Sequence, residues 1–250
     1  MSEASAQRLG EMAAIDTALV FAAGLGTRMR PITDTLPKPL VRIGGRAMLD
    51  HMLDRLAEAG VARAIVNVHH LADQIEAHLA GRTRPQIVIS DERDKLLDQG
   101  GGIRKVLPLL GGRDFIICNT DAVWTEGPQS ALAALIAAWR PAEMDVLLLL
   151  ASTTTSVGVD WPGDFHMAPD GRLTRRGEQE VAAFVYAGVG VIKSSLFAGA
   201  TDEVFRLAPF FFDAARAGRL FGMRLGGTWL HVGTPAAIGE AERALARSAA

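Results

Sequence analysis

The sequence reads ALVFAAGLGTRMRP from Ala18 to Pro31. Its first five residues are apolar, and two glycines, Gly24 and Gly26, follow closely. A short apolar run that ends in glycines is typical of a buried β-strand leading into a tight loop. The stretch therefore predicts an α/β protein whose first strand carries a loop at its carboxyl end.

Strands and helices alternate through the first half of the chain. Apolar side chains recur every three or four positions from residue 47 to 59 and stop at Gly60, which predicts a helix. Strands are predicted at 64–68, 87–90 and 114–119, and helices at 71–79 and 103–110. This βαβαβ order, with strands that are apolar throughout, favours a parallel sheet covered by helices on both faces.

Turn residues become dense after a further predicted strand at 145–151. A Pro-Asp-Gly turn at 169–171 predicts a hairpin between short strands at 165–167 and 172–174. More strands are predicted at 184–191, 220–225 and 229–232, and helices at 130–139, 207–217 and from Pro235 onward. We expect residues 15–250 to form a single domain and residues 1–14 to be a flexible extension.

Composition and charge exclude several classes of protein. Of the 250 residues, 49% are apolar and 22% charged, which excludes disordered, collagen-like and disulfide-scaffold proteins. The 26 basic and 28 acidic residues give a net charge of −2, which argues against a nucleic-acid-binding protein. The single cysteine, Cys118, cannot form an internal disulfide, and the apolar runs are too short for a signal peptide or a membrane span. We expect a cytoplasmic protein that acts as a monomer.

The glycine loop is a candidate phosphate-binding site. Gly24 and Gly26 would let the backbone approach a ligand and point N–H groups at it. Met29 stands where a dinucleotide fingerprint has its third glycine, and no Gly-Lys-Ser/Thr follows, so neither that fingerprint nor a P-loop fits. By itself the glycine pair is more often an ordinary strand-to-helix turn. Arg28 and Arg30 favour the phosphate site because they place two cations beside the loop.

A lysine between two prolines follows at Pro37-Lys38-Pro39. Pro37 has a fixed φ angle, and Pro39 disfavours a helical conformation in the residue before it, so we expect Lys38 on a stiff, extended segment. An isolated Pro-Lys-Pro is more often an exposed turn. In combination with the glycine loop just upstream, the lysine indicates a phosphate contact.

These two motifs resemble those of the sugar-1-phosphate nucleotidylyltransferases. In the same order, Gln99-Gly100-Gly101-Gly102 resembles the family's base-binding glycine turn, Asn119-Thr120-Asp121 its metal-binding aspartate, and Trp229-x-x-Val232-Gly233-Thr234 its closing motif. The resemblance runs from about residue 17 to the last helix. It implies a three-layer α/β/α, Rossmann-like nucleotidyltransferase fold with a mixed, mostly parallel central sheet. The short length and the glycine triplet are most similar to the N-acetylmuramate-1-phosphate uridylyltransferases of cell-wall recycling.

The resemblance also implies a reaction and the residues that carry it. A sugar 1-phosphate would attack the α-phosphorus of a nucleoside triphosphate, releasing pyrophosphate and forming a nucleotide sugar. The expected pair is UTP with N-acetylmuramic acid 1-phosphate; the alternative is another hexose or heptose 1-phosphate with a different base. Arg28 would contact the β and γ phosphates, Lys38 the α-phosphate and the leaving group, and Asp121 would hold Mg²⁺, with Mn²⁺ as the alternative metal. The implied nucleotide-binding residues are Ala22, Ala23, Gly24, Leu25, Gly26, Thr27, Arg28, Gln99, Gly101 and Gly102. The implied sugar-binding residues are Asn119, Asp164 and Gly188, of which the last two could equally be turn and strand residues.

Asp121 is a metal candidate from its position as well. It follows the predicted strand at 114–119, at the edge of the sheet where ligands of open α/β folds bind. A carboxylate is the hard oxygen ligand that suits Mg²⁺. The alternative is an aspartate that caps a turn.

His231 departs from the family's pattern. In close relatives an aspartate at this position shares the metal with the residue at the position of Asp121. An imidazole suits Mn²⁺, Co²⁺ or Zn²⁺ better than Mg²⁺ and adds no negative charge. Three interpretations are open: one Mg²⁺ held by Asp121, phosphate oxygens and water; a softer metal or a phosphate contacted by His231; or a nucleotide-sensing module that has lost activity.

Overall fold

The computed structural model describes residues 15–248, so the extension predicted at residues 1–14 lies outside the described residues. In the part of the chain that the structure describes, no helix is both long and apolar enough to cross a membrane. The helices are α1 (Met48–Glu58), α2 (Ala72–Leu79), α3 (Asp98–Leu110), α4 (Ala131–Ala137), α5 (Ala208–Arg216) and α6 (Pro235–Ser248). The strands are β1 (Thr17–Phe21), β2 (Arg42–Ile43), β3 (Arg46–Ala47), β4 (Arg63–Val68), β5 (Gln86–Asp91), β6 (Phe115–Asn119), β7 (Ala122–Trp124), β8 (Val146–Ser152), β9 (Phe165–Met167), β10 (Leu173–Arg175), β11 (Phe184–Ile192), β12 (Leu220–Arg224) and β13 (Trp229–His231).

A mixed sheet forms the centre of the fold. Strands β6, β1, β4 and β5 lie side by side in that order and are parallel. Strand β11 pairs antiparallel with β6 and β8, and β8 pairs parallel with β12. The β9–β10 hairpin, which the Pro-Asp-Gly turn predicted, extends the sheet beyond β11. The predicted mixed, mostly parallel sheet is therefore confirmed.

Helices cover both faces of this sheet because successive residues of a strand point to opposite faces. In β1, Val20 packs into an apolar cluster that includes Leu49 of α1 and Ile75 of α2. Its neighbour Leu19 packs into a second cluster with Ile103 of α3. Residues of α4 belong to the first cluster and residues of α5 to the second. The three-layer arrangement predicted from the uniformly apolar strands is confirmed.

A small two-stranded sheet positions the segment that follows β6. Strand β7 begins directly after Asp121 and pairs antiparallel with β13, which sets His231 opposite Ala122. Val123 and Leu230 of these strands pack in a third apolar cluster with residues of α6. The last strand and helix of the chain thus support the turn that carries Asp121.

Candidate active site

A cavity of about 580 Å³ opens at the carboxyl ends of β1, β4 and β6. Parallel strands bring their carboxyl ends to one edge of a sheet, and ligands of open α/β folds bind there. A cavity of this size is typical of a small-molecule site. The residues that line it are Phe21, Ala22, Ala23, Gly24, Gly26, Thr27, Arg28, Met29, Lys38, Pro39, Asn67, Glu92, Leu96, Asp98, Gln99, Asn119, Thr120, Asp121, Val204 and Gly233.

The loop after β1 forms one wall of the cavity. Gly26 has a φ angle of 63°, and a Cβ atom there would lie 2.9 Å from Thr33 Cγ2 and 3.1 Å from Lys38 Cβ. Glycine is therefore needed where the loop approaches the segment that carries Lys38. Arg28 lies in the short 3-10 helix Thr27–Met29 and lines the cavity.

Two members of the predicted loop do not line the cavity. The side chain of Leu25 faces solvent and is 42% exposed. Arg30 forms an ion pair with Asp34 at 3.2 Å. Of the two cations that the sequence placed beside the loop, the structure brings only Arg28 to the cavity.

Lys38 and Asp121 meet on the cavity wall. Lys38 Nζ lies 2.5 Å from Asp121 Oδ2, although the two residues are 83 positions apart in sequence. The prediction of an extended segment is wrong at Lys38 itself, which begins the short 3-10 helix Lys38–Leu40. Pro37 is extended, as expected. A hydrogen bond from the Val41 N–H to the Lys38 carbonyl at 3.1 Å closes the turn against the preference set by the following proline.

Neighbouring charges keep Asp121 ionised. Burial raises the pKa of the Asp121 carboxyl, but the charge and hydrogen bond of Lys38 oppose this effect. His231 and Arg28 act in the same direction as Lys38, and the net result is a pKa below the ordinary value. Asp121 is therefore a carboxylate at neutral pH, in the form that can bind a cation.

The donor set around Asp121 fits Mg²⁺. Among residues 15–248, no three His, Cys, Asp or Glu side chains lie close enough together to hold a metal ion. Mg²⁺ in nucleotide sites keeps several waters and uses one or two carboxylates together with phosphate oxygens, so a single carboxylate beside a candidate phosphate site suits it. A structural zinc site would instead need four protein ligands. Asp121 is thus the candidate residue for holding a nucleotide-bound Mg²⁺.

His231 lies next to the Asp121 segment but is not among the residues that line the cavity. Its ring packs against Trp161 and Trp229, with ring centroids 5.2 Å apart in each case. A Cβ atom on Gly233 would lie 2.6 Å from His231 Nε2, so glycine is needed to leave room for the ring. The aromatic contacts hold the imidazole at the edge of the site.

Burial lowers the pKa of His231, and the charge of Asp121 partly opposes this effect. The positive charges of Lys38 and Arg28 lower it further. The imidazole is therefore neutral near pH 7, which is the form in which a ring nitrogen can bind a metal.

The glycine triplet lies inside helix α3 rather than in a turn. The helix begins at Asp98, whereas the sequence predicted its start at Ile103. A Cβ atom on Gly101 would lie 2.2 Å from the backbone oxygen of Glu203, so the helix packs directly on that segment. The prediction failed because glycine is a poor helix former by itself, and tertiary packing overrides this propensity.

The triplet supports the cavity from behind. The N–H groups of Gly100 and Gly101 both donate to the carbonyl of Phe205, at 2.9 and 3.3 Å, and so are not available to a ligand. Neither Gly101 nor Gly102 lines the cavity. The expected base-binding turn is therefore a close-packed start of a helix whose first residues reach the site.

The predicted sugar-binding residues divide into one on the wall and two behind it. Asn119 lines the cavity, and its Oδ1 accepts a hydrogen bond from Gln99 Nε2 at 2.9 Å. Gly188 has a φ of 83°, and a Cβ atom there would lie 3.2 Å from Asn119 Cβ and 3.0 Å from Ala122 Cβ. Gly188 thus lets β11 pass close to the segment that carries Asn119.

Asp164 is engaged within the protein. Its Oδ2 accepts from the backbone N–H of Tyr186 at 2.9 Å, and its Oδ1 accepts from Trp161 Nε1 at 3.2 Å. It does not line the cavity. These contacts tie the β9–β10 hairpin to β11.

Asn67 and Glu92 are polar residues of the cavity that the sequence reasoning missed. Asn67 and Glu92 are 3% and 2% exposed, and both line the cavity. Asn67 Nδ2 donates to Glu92 Oε1 at 2.9 Å. Burial raises the pKa of Glu92, and the hydrogen bond from Asn67 partly offsets this. The signal that could have found Asn67 is a polar side chain inside a buried apolar strand, between Val66 and Val68.

Comparison with known proteins agrees with this geometry. Residues 18–168 match the family model of the MobA-like NTP transferase domain. The N-acetylmuramate alpha-1-phosphate uridylyltransferase of Caulobacter vibrioides is 46% identical over 92% of this chain and 97% of its own. The enzyme of the same name from Neisseria meningitidis serogroup B is 34% identical over 90% of this chain and 96% of its own.

Solved structures of nucleotidyltransferases share the fold. The inositol-1-phosphate CTP transferase of T. maritima superposes with a TM-score of 0.71 at 19% identity, covering 93% of this chain and 97% of that one. UTP-bound UGPase from Acinetobacter baumannii gives a TM-score of 0.72 at 15% identity, covering 92% of both chains. Because the family model covers more than half of the chain and the C. vibrioides enzyme is 46% identical over almost its whole length, the chain belongs to the family of MobA-like NTP transferase domains and is a sugar-1-phosphate nucleotidylyltransferase.

Proposed function

We propose that this enzyme joins UTP and N-acetylmuramic acid 1-phosphate, giving a UDP-linked sugar and pyrophosphate, in peptidoglycan recycling. The choice of substrates is supported by the names of the C. vibrioides and N. meningitidis relatives. The observation that supports this mechanism is the Lys38–Asp121 pair, because a lysine suited to phosphate and a carboxylate suited to Mg²⁺ lie 2.5 Å apart on one cavity wall.

The nucleophile of this reaction is already an anion, so the protein needs no general base. Its task is to align the two phosphates and to neutralise their charge. Arg28 contacts the outgoing β and γ phosphates, and Lys38 contacts the α-phosphate and the leaving group. Asp121 holds Mg²⁺, or Mn²⁺ in its place; the ion, when bound, withdraws charge from the phosphoryl oxygens.

The nucleotide lies along the wall formed by the loop after β1 and the start of α3. Gln99 and Asn119, which are hydrogen-bonded to each other, mark the boundary between the nucleotide and the sugar. Gly101, Gly102 and Gly188 act by allowing close packing behind this wall. Asp164 acts by fixing the hairpin beside the sugar.

Residues 15–250 act as one nucleotidyltransferase domain, a monomer that works in the cytoplasm. The main sheet supports this proposal because it draws strands from both halves of the chain, β1 and β4 from the first and β8, β11 and β12 from the second. The partners of the domain are a nucleoside triphosphate and a sugar 1-phosphate.

The test is pyrophosphate release from purified protein with Mg²⁺ or Mn²⁺. Each nucleoside triphosphate is crossed with a panel of sugar 1-phosphates that includes N-acetylmuramic acid 1-phosphate, and Asp121→Asn serves as the inactive control. The expected result is pyrophosphate release only with the pair of UTP and N-acetylmuramic acid 1-phosphate. Release with another pair would replace the substrate assignment, and silence with intact nucleotide binding would indicate a nucleotide-sensing module.

A further inference from the structure

Asn67 lies at the point where three parallel strands reach the cavity. It is the second-last residue of β4, in register with Phe21 of β1 and Ser90 of β5. Its side chain is 3% exposed and lines the cavity. A buried carboxamide at this position has to be satisfied by neighbours from both adjacent strands.

The carboxamide of Asn67 links the nucleotide loop to Glu92. Its Oδ1 accepts from the N–H groups of Ala22 and Ala23, at 2.7 and 3.3 Å. Its Nδ2 donates to Glu92 Oε1 at 2.9 Å. An amide supplies both an acceptor and a donor in one plane, whereas a carboxylate of the same shape only accepts. The two loop N–H groups fix which way the amide faces, so the donor must face Glu92.

Glu92 accepts this bond through one oxygen, while its second oxygen is buried. Glu92 is 2% exposed, and its Oε2 makes no well-formed hydrogen bond among residues 15–248, although the nearby Leu97 N–H lowers the pKa of the carboxyl. The pair is packed tightly: a Cβ atom on Gly102 would lie 3.0 Å from Glu92 Oε1 and 3.2 Å from Asn67 Nδ2. The direction of the Glu92 carboxyl at the cavity wall therefore depends on the donor of Asn67.

We propose that Asn67 is a positioning residue for the nucleotide. Its amide holds both the first residues of the loop after β1 and the Glu92 carboxyl in fixed orientations. This part of the cavity wall is therefore ordered before the nucleotide binds. The inference rests on the proposed function, because it assumes that the nucleotide lies on this wall. Asn67 acts on nucleotide binding and not on phosphoryl transfer, which Lys38, Arg28 and Asp121 serve.

The first variant is Asn67→Asp, which keeps the shape and the acceptor for the loop but replaces the donor with an oxygen that repels Glu92. At pH 8 we expect the KM for the nucleoside triphosphate to rise about tenfold, with kcat changed less than about threefold. The matched control is Gln86→Glu, the same amide-to-acid change on an exposed residue at the opposite end of β5. It should leave both constants unchanged.

The decisive variant combines Asn67→Asp with Glu92→Gln. In Glu92→Gln alone, the new amide must turn its carbonyl to Asn67 Nδ2 and its NH₂ to the place that Oε2 has in the wild type, which also raises KM. In the double variant the NH₂ donates to the carboxylate at position 67, and an oxygen again takes the place of Oε2. We therefore expect the double variant to return within about threefold of the wild-type KM, better than either single variant.

These results separate the positioning role from a purely structural one. A residue that only stabilises the fold would change the melting temperature without this reciprocal rescue. An unchanged KM in Asn67→Asp, a loss confined to kcat, or a double variant no better than the worse single variant would overturn the inference. Absence of turnover in the wild type with every substrate pair would refute the proposed function instead. The nucleotide Kd of each variant would then be measured by calorimetry, and the same ranking of the variants is expected.

Discussion

Lys38 occupies the carboxylate that we assign to the metal, so metal and lysine must compete in the nucleotide-free protein. The ammonium lies 2.5 Å from Asp121 Oδ2, and the two side chains are only 14% and 23% exposed. Bound triphosphate would draw Lys38 away and release Asp121. Lys38→Met removes the charge and keeps much of the apolar stem. It should therefore change metal binding and turnover in opposite directions.

The size of the effect follows from the geometry of the pair. At an effective dielectric constant of about 20, two unit charges 2.5 Å apart attract by about 7 kcal/mol. Partial exposure and the cost of desolvation leave only part of this, and a charged hydrogen bond contributes about 2 kcal/mol net. Since 1.4 kcal/mol is a factor of ten in an equilibrium constant, Lys38→Met should tighten Mn²⁺ binding to the free protein about 30-fold.

The assay is a Mn²⁺ titration of nucleotide-free protein followed by electron paramagnetic resonance, alongside pyrophosphate release. While Mn²⁺ binds more tightly, kcat should fall about 100- to 1,000-fold because a charge positioned on the phosphates is lost. Lys95→Met is the matched control, since Lys95 forms an exposed ion pair with Glu203. Asp121→Asn should not bind Mn²⁺, so the signal of the free ion should keep its full strength. Equal Mn²⁺ affinity in Lys38→Met and the wild type would refute the competition.

Variants elsewhere in the site and the core distinguish its parts. Asp121→Asn should abolish turnover while His231→Ala retains a measurable part of it, because Asp121 lines the cavity and His231 does not. The measurement is pyrophosphate release, and near-complete activity in both variants would contradict the metal assignment. Burial raises the pKa of Glu92, so its contribution to stability is largest in acid and is lost as the pH rises through the folded pKa. Glu92→Gln should therefore raise the free energy of unfolding by about 1 kcal/mol at pH 8 and have no effect below about pH 4. The measurement is urea unfolding at both pH values, and an equal increase in the free energy of unfolding at both would be inconsistent with a buried charge. Gly101→Ala should lower that free energy by about 1–3 kcal/mol because its Cβ would lie 2.2 Å from a backbone oxygen. Gly199→Ala should not lower it, because none of the described residues beyond its chain neighbours lies within 4 Å of the new Cβ. Equal unfolding curves for the two variants would contradict the tight packing of α3.

The order of strands and helices could be predicted because it depends on sequence patterns within each segment. The apolar residues of β1 are divided between the two faces of the sheet simply by alternation, and Leu19 and Val20 lie in different clusters. The position of Asp121 was predicted for the same reason, since it follows the end of a parallel strand. The conformations of Gly100 and Lys38 were not predicted. Contact with Phe205 overrides the local preference of Gly100, and turn hydrogen bonds override that of Lys38.

Contacts between distant residues required the register of the sheet. Lys38 and Asp121 are 83 positions apart, and Asn67 and Glu92 are 25 apart. Strand patterns show where each strand ends, but they do not say which end residues stand side by side. The polar residue inside the apolar stretch of β4 was nevertheless a readable signal, because burying an amide without partners costs too much for a folded chain to tolerate. Such a residue near the carboxyl end of a parallel strand must find its partners in the loops that follow the neighbouring strands, and in this fold those loops form the active site.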